Sequence, residues 1–231
     1  MRKLLLFVIV VIPFIAYAQL PDSILQFSQK FPKYEEYDGS IYLNTKFIES
    51  SVIDEATGTF DSKLRYNIYT DAIELKEDSE LYEISKRPTI QARIGKNYFY
   101  YCHFKTLRGV EKDGYYILIE LNDQYRIYKR YEVNIKDPIK MDVYNGNPSP
   151  GTIKKIVTYY LEENNIIQEL PRDKKVILSS TFEDKQDELK LYIKKEKIKL
   201  KKEEDLVRLV AKYNALKNLD TDRPTSMLSK F

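Results

Sequence analysis

The sequence predicts an α+β fold in which an antiparallel β-sheet or roll is followed by a small C-terminal helical segment. Three observations predict it. From Gly39 to about Pro138, apolar and polar residues alternate in short runs separated by turn residues, the period-two pattern of half-buried strands. Beyond Leu170 the apolar spacing changes to three and four, the pattern of amphipathic helices. Tyrosine is abundant, with 20 copies and no Trp among 231 residues, and suits half-buried sheet positions.

The clearest strand is Lys63 to Tyr69, with Leu64, Tyr66 and Ile68 on one face. Thr70-Asp71 turns the chain, and Ala72 to Lys76 returns. Leu81 to Ile84 is a further run, interrupted at Arg87-Pro88. Gly95-Lys96-Asn97 turns into a strand from Tyr98 to Phe104. Tyr115 to Leu121 and Tyr125 to Val133 form a hairpin about Asn122-Asp123-Gln124. Residues 139 to 153, rich in Asn, Pro and Gly, read as a long loop, and Ile156 to Leu161 pairs with Ile166 to Leu170 around a turn at residues 162 to 165. A short helix is expected at Asp173 to Ser179. Thr181 to Asp184 resembles a capping arrangement for a helix running to Lys195, with Leu189, Tyr192 and Ile193 on one side. A last helix spans Lys202 to Leu216, its acids Glu203, Glu204 and Asp205 placed where they suit the helix dipole. Before the sheet, one helical segment is expected from Asp22 to Lys30.

The organisation that follows is a signal peptide at 1–18, a lead-in at 19–38, the β domain at 39–170, a helical region at 171–220 and a tail at 221–231. Arg2 and Lys3, the apolar run from Leu4 to Ala16, and Ala16-Tyr17-Ala18 together make an export signal. The run is shorter than the roughly 20 residues that cross a bilayer. Cleavage near Ala18 leaves a soluble periplasmic or extracellular chain that begins at Gln19, where no Cys is available for lipidation. Its charge falls from +3 to about +1 with the loss of Arg2 and Lys3. Such a balance argues against nucleic acid as a partner.

One His and one Cys exclude zinc fingers and iron-sulfur sites, and leave no intramolecular disulfide. No Gly-rich phosphate cradle or nucleophile elbow is present, so no metal or cofactor is expected. Cys102 and His103 are neighbours in an expected strand, and alternate residues of a strand face opposite ways, so they do not form a dyad. Acidic pairs at Glu35-Glu36 and Glu162-Glu163 keep a carboxylate-based hydrolase as an alternative. The lysine-rich stretch from Lys190 to Lys202 reads as solvated helix faces, because acids interrupt it. Tyr98, Tyr100, Tyr115, Tyr116 and Tyr128 are the candidate interaction surface.

Two stretches carry a resemblance. Gly39 to Asn44 with Leu64 to Tyr69 and the Ile73-Glu74-Leu75 return, and the tail from Tyr192 to Leu206 followed by Tyr213-Asn214, resemble a group of exported β-rich proteins of Bacteroidetes-type bacteria. The resemblance implies export and a β-rich body with a helical tail, and brings no activity or catalytic residue. The expected function is a non-enzymatic interaction or structural module of the cell envelope, whose partner is another envelope protein or a second copy of the chain. Membrane contact is the weaker expectation. A ligand-binding barrel, closed by strands between Ile41 and Val133, is the other alternative.

Overall fold

The computed structural model describes residues 20–77, 79–139 and 149–221. The expected signal peptide, most of the expected tail and the centre of the expected loop at 139–153 lie outside them. In chain order the strands are β1 (Leu25–Phe27), β2 (Asp38–Gly39), β3 (Ile48–Asp54), β4 (Gly58–Asn67), β5 (Ala72–Glu77) and β6 (Glu80–Ile84). They continue as β7 (Ile90–Ile94), β8 (Asn97–Thr106), β9 (Glu111–Leu121), β10 (Arg126–Lys136), β11 (Thr152–Glu163) and β12 (Ile166–Glu169). Three helices follow, α1 (Lys174–Ser180), α2 (Gln186–Lys195) and α3 (Glu203–Thr221). The fold is α+β, a mostly antiparallel sheet and then a small helical segment.

The sheet has an open arm and a closed ring. The arm runs β1-β6-β5-β4-β3-β7, all antiparallel, and joins the ring where β7 pairs with the start of β8. The opposite edge of β8 pairs with β9, β9 with β10, β10 with β11 and β11 with β12. The end of β8, at Lys105 and Thr106, then meets Ile166 and Ile167 of β12 in a short parallel contact that closes five strands on themselves. Closure removes free edges. It is possible because Asn164 and Asn165, at φ 53° and 66°, turn β11 directly into β12. Two positive φ values in a two-residue loop are the geometry that Asn tolerates best after Gly. Glu162 and Glu163, expected in that turn, belong to the strand or its end.

Alternation places side chains on both faces of the ring wall. Phe104, Tyr116, Tyr128 and Ile167 point inward and fill the interior, with the rings of Phe104 and Tyr116 5.0 Å apart and those of Tyr116 and Tyr128 5.9 Å apart, both edge to face. Ile127, Tyr159 and Leu161 point outward under the helices, where Leu189, Leu206, Leu209 and Val210 bury them. Phe99, Tyr115 and Ile117 point outward on the other side, against Leu64, Tyr66 and Ile73 of the arm.

Two local expectations are corrected. The segment from Asp22 to Lys30 is a single 3-10 turn, Asp22–Ile24, followed by β1. Pro21 fixes the entry, and the open edge of β6 offers backbone partners that an isolated nine-residue helix in water lacks, with Leu25 opposite Ile84 and Phe27 opposite Tyr82. Thr181 caps no helix start. It ends α1, and its hydroxyl donates to the carbonyl of Glu169 at 3.2 Å. The working N-cap is Asp173, whose carboxylate accepts from the N–H groups of Lys175 and Val176.

Arm and ring are locked by one side chain. Pairing of β9 with β10 stops at Ile117 and Lys129, and beyond it the strands splay. Asp71, from the β4–β5 turn at φ 51°, enters that gap. Its carboxylate accepts from the Tyr66 hydroxyl at 2.5 Å, from the Tyr115 N–H at 3.1 Å and from the Arg130 guanidinium at 3.2 Å. Arg130 also donates to the carbonyl of Asp113 at 3.0 Å. Gly114, at φ 148°, makes room, since a Cβ there would lie 2.5 Å from the Asp71 carboxylate and 2.6 Å from Arg130. A strap reinforces the joint. Gly39 of β2 pairs with Ile153 of β11, while Ile41 and Leu43 exchange backbone hydrogen bonds with Ile68 and Tyr66 at the end of β4.

Asp71→Asn is expected to lower unfolding free energy by about 2–4 kcal/mol, because it weakens three hydrogen bonds and leaves Arg130 without its carboxylate. Gly114→Ala should cost about as much through the two close approaches and the backbone conformation. Lys63→Ala, which removes an exposed ion pair with Glu49, should stay within about 0.5 kcal/mol. Urea titrations followed by circular dichroism measure all three.

Candidate functional site

The five candidate tyrosines do not form one surface. Tyr98 is 41% exposed and Tyr100 is half-buried, but Tyr115, Tyr116 and Tyr128 are only 2%, 0% and 6% exposed. The expectation fails for these three because both faces of the ring wall are covered. Tyr115 lies in the joint with the arm, whereas Tyr116 and Tyr128 fill the interior.

The other sequence candidates separate as well. Cys102 packs with the ring interior, and burial pushes its thiol up to about 12. His103 faces outward, its Nδ1 3.0 Å from Asp113 and its ring edge-on to Tyr101. The opposite-face reading therefore holds. Glu162 is buried and accepts from Arg126 at 3.1 Å and from the Asn165 N–H at 2.7 Å, while Glu163 meets Lys217 at 3.2 Å. Each carboxylate of that pair has its own cation. Glu35 and Glu36 are exposed. Among the described residues no cluster of three or more His, Cys, Asp or Glu could hold a metal ion, and no helix is long and apolar enough to cross a membrane.

An aromatic cleft emerges instead from the lead-in. Pro32–Glu36 is a 3-10 turn, in which residues three apart eclipse one another, and Phe31, Tyr34 and Tyr37 therefore stack along one side. Their ring centroids are 6.4 and 5.4 Å apart in sequence order. Tyr69, 44% exposed in the β4–β5 turn, packs against the row at 5.2 Å from Phe31 and 5.0 Å from Tyr34. The row is pinned at Tyr37, whose hydroxyl donates to Asp137 at 2.7 Å and whose ring lies against Gly151, where a Cβ would approach to 2.5 Å.

Beside the row opens a cavity of about 250 Å³ lined by Phe31, Tyr34, Glu35, Ser40, Ile41, Tyr42 and Thr45. Behind Tyr42 the Arg65 guanidinium is held between two rings, 3.7 Å from the centroid of Tyr42 and 4.4 Å from that of Phe47. Its charge is met by fully buried Glu74 through two contacts of 2.8 Å, and Asn67 donates to the same carboxylate at 2.7 Å. Lys33 is likewise met by Asp137 at 3.4 Å. Hydrogen bonding to Tyr37 and the charge of Lys33 hold the Asp137 carboxyl below its ordinary value. Arg65 and Lys33 are thus each already met by a carboxylate, and the cleft walls offer ring faces, hydroxyls and one carboxylate.

No family model, curated protein or solved structure matches the chain. The aromatic row was nevertheless present in the sequence as Phe31-x-x-Tyr34-x-x-Tyr37 around Pro32, a spacing that a proline-initiated 3-10 turn converts into a stack. Tyr69 and Tyr42 reach it only through the pairing of distant strands.

The phenols buried in and beside the ring respond to alkali. Burial, and for Tyr66 and Tyr115 the Asp71 charge as well, raises Tyr66, Tyr115 and Tyr128 well above the ordinary phenol value, and burial pushes Tyr160 up to about 12. A folded value above the unfolded one means that the stabilisation from keeping each phenol neutral is complete below about pH 10 and is lost as the pH rises beyond it. Stability should fall by at most roughly 1.4 kcal/mol per pH unit for each such phenol, from about pH 10 up to its folded value. Tyrosinate absorbance should therefore show a class of phenols that ionises only in a cooperative step with unfolding. Cys102 should likewise react with a thiol reagent only as the ring opens.

Proposed function

We propose that the chain is a non-catalytic, exported interaction module of the cell envelope that holds an uncharged segment of another envelope protein at the aromatic cleft. Export is inferred from the N-terminal basic pair, the apolar run and Ala16-Tyr17-Ala18. The observation that carries the binding role is the row of Phe31, Tyr34 and Tyr69 beside a cavity next to which Arg65 and Lys33 are each already met by a carboxylate. Aromatic groups held rigidly on a scaffold lose little entropy on binding, and such residues anchor interfaces. A charged partner would gain little from Arg65 or Lys33, each of which has its own carboxylate. The filled ring interior supports a surface role over an enclosed ligand, and the separate pairing of Glu162 and Glu163 supports a non-catalytic one.

A photoreactive amino acid placed at position 69 in cells of the native host tests this directly. The expected result is one discrete adduct to an envelope protein, reduced about 30-fold by Tyr34→Ala, the effect of losing an anchor worth about 2 kcal/mol. An adduct pattern unchanged by Tyr34→Ala, or the absence of an adduct from correctly localised protein, would sink the proposal.

A further inference from the structure

The helical end carries a charge pattern that the linear sequence disguises. Between Arg172 and Lys217 there are fourteen basic and nine acidic side chains, interspersed as on a solvated mixed-charge surface. Folding draws several of the acids into internal contacts. Glu203 accepts from Lys129 at 3.0 Å and from the Tyr159 hydroxyl at 2.9 Å, in the crease between α3 and the ring. Asp205 takes the Lys199 N–H at 2.9 Å and shares Arg208 with Glu196, and Asp173 is spent on the first turn of α1. Lys174, Lys175, Lys190, Lys194, Lys195 and Lys212 are left with no carboxylate partner among the described residues.

These six lysines surround apolar surface. Helix α2 is a ridge with Leu191, 70% exposed, at its crest. Towards α1 lies a groove of about 460 Å³ floored by Leu178 and Ile193 and rimmed by Lys174, Lys175 and Lys190. Towards α3 lies a wider depression of about 750 Å³, where Lys194, Lys195 and Lys212 flank Leu191 and Leu216. Two acids share the ridge, Asp187 and Glu188, both in the first turn of α2 where the helix dipole favours them.

We propose that this face of the helical segment docks on an anionic phospholipid bilayer. These ammonium groups, none of them met by a carboxylate among the described residues and Lys212 set 6.0 Å over the Tyr192 ring, supply attraction to lipid phosphates, at about fivefold in affinity for each lysine near the surface. Leu191 at the crest, where a soluble globular face would carry a polar residue, enters the headgroup region, and the lysine stems lie along the apolar boundary with their charges outward. A bare polyanion would use the lysines and have no use for Leu191. This combination separates a lipid surface from nucleic acid or an acidic polysaccharide. The inference is independent of the aromatic cleft.

Co-sedimentation of the full chain with vesicles tests it. Binding is expected to vesicles of phosphatidylcholine containing about a third phosphatidylglycerol, to weaken as salt is raised, and to be absent with phosphatidylcholine alone. The double variant Lys190→Glu, Lys194→Glu should bind at least about 20-fold more weakly, and Leu191→Ser several-fold more weakly, while both keep the wild-type unfolding midpoint because the three positions are exposed. Binding that ignores lipid charge overturns the proposal. So does binding to the anionic vesicles that is lost in the lysine variant, untouched by Leu191→Ser and matched by binding to heparin, which would mark a polyanion site, or no vesicle binding at low salt.

Discussion

The molecule depends on the Asp71 carboxylate. A sheet that runs through an open arm into a closed ring has a weak point where one long strand, β8, must serve both, because only four residue pairs join β7 to β8. Asp71 supplies the missing connection by acting as the acceptor for a phenol of the arm, a backbone amide of the ring wall and a guanidinium from the next strand. Charged partners make these bonds stronger than their neutral counterparts, and their position at a splayed strand pair leaves no backbone group to replace them. Gly114 is the corollary, a position where a side chain and the bracket cannot coexist.

Once arm and ring form one unit, the placement of the surfaces follows. The ring wall is sandwiched, with aromatics inside, helices over one outer side and the arm over the other, so Tyr115, Tyr116 and Tyr128 are committed to packing. The strap from Asp38 to Leu43 crosses between β11 and β4 and carries the aromatic row with it. The helices, needed to cover Ile127, Tyr159 and Leu161, present their other faces outward, and acids recruited to cover the ring leave lysines behind. The aromatic cleft and the lysine-rimmed helical face are both consequences of how the core was closed.

Local chemistry was legible in the sequence, and contacts between distant strands were not. The hairpins at Thr70-Asp71 and Asn122-Asp123-Gln124 could be read because turn residues act over four positions, and the helices because their spacing repeats. The parallel contact between Lys105-Thr106 and Ile166-Ile167 involves two residue pairs about sixty positions apart and leaves no periodic trace. The same limit explains the tyrosines. Alternation separates Tyr115 from Tyr116 in the sequence, but only ring closure decides that both sides are buried. Asp22 to Lys30 looked helical because nothing in it reveals that β6 has an edge to fill. The lysine run looked neutralised because sequence proximity hides that Glu203 turns inward to Lys129, 74 positions away.

Native-state hydrogen exchange at the Tyr115 amide tests whether Asp71 makes arm and ring a single cooperative unit. This N–H has a side-chain carboxylate as its acceptor at a point where β9 and β10 have parted, so its protection reports on the bracket alone. Exchange is expected only through global unfolding, at the same free energy as the amides in the centre of β9. Exchange of Tyr115 through a low-energy local opening, with the rest of β9 still protected, would contradict it.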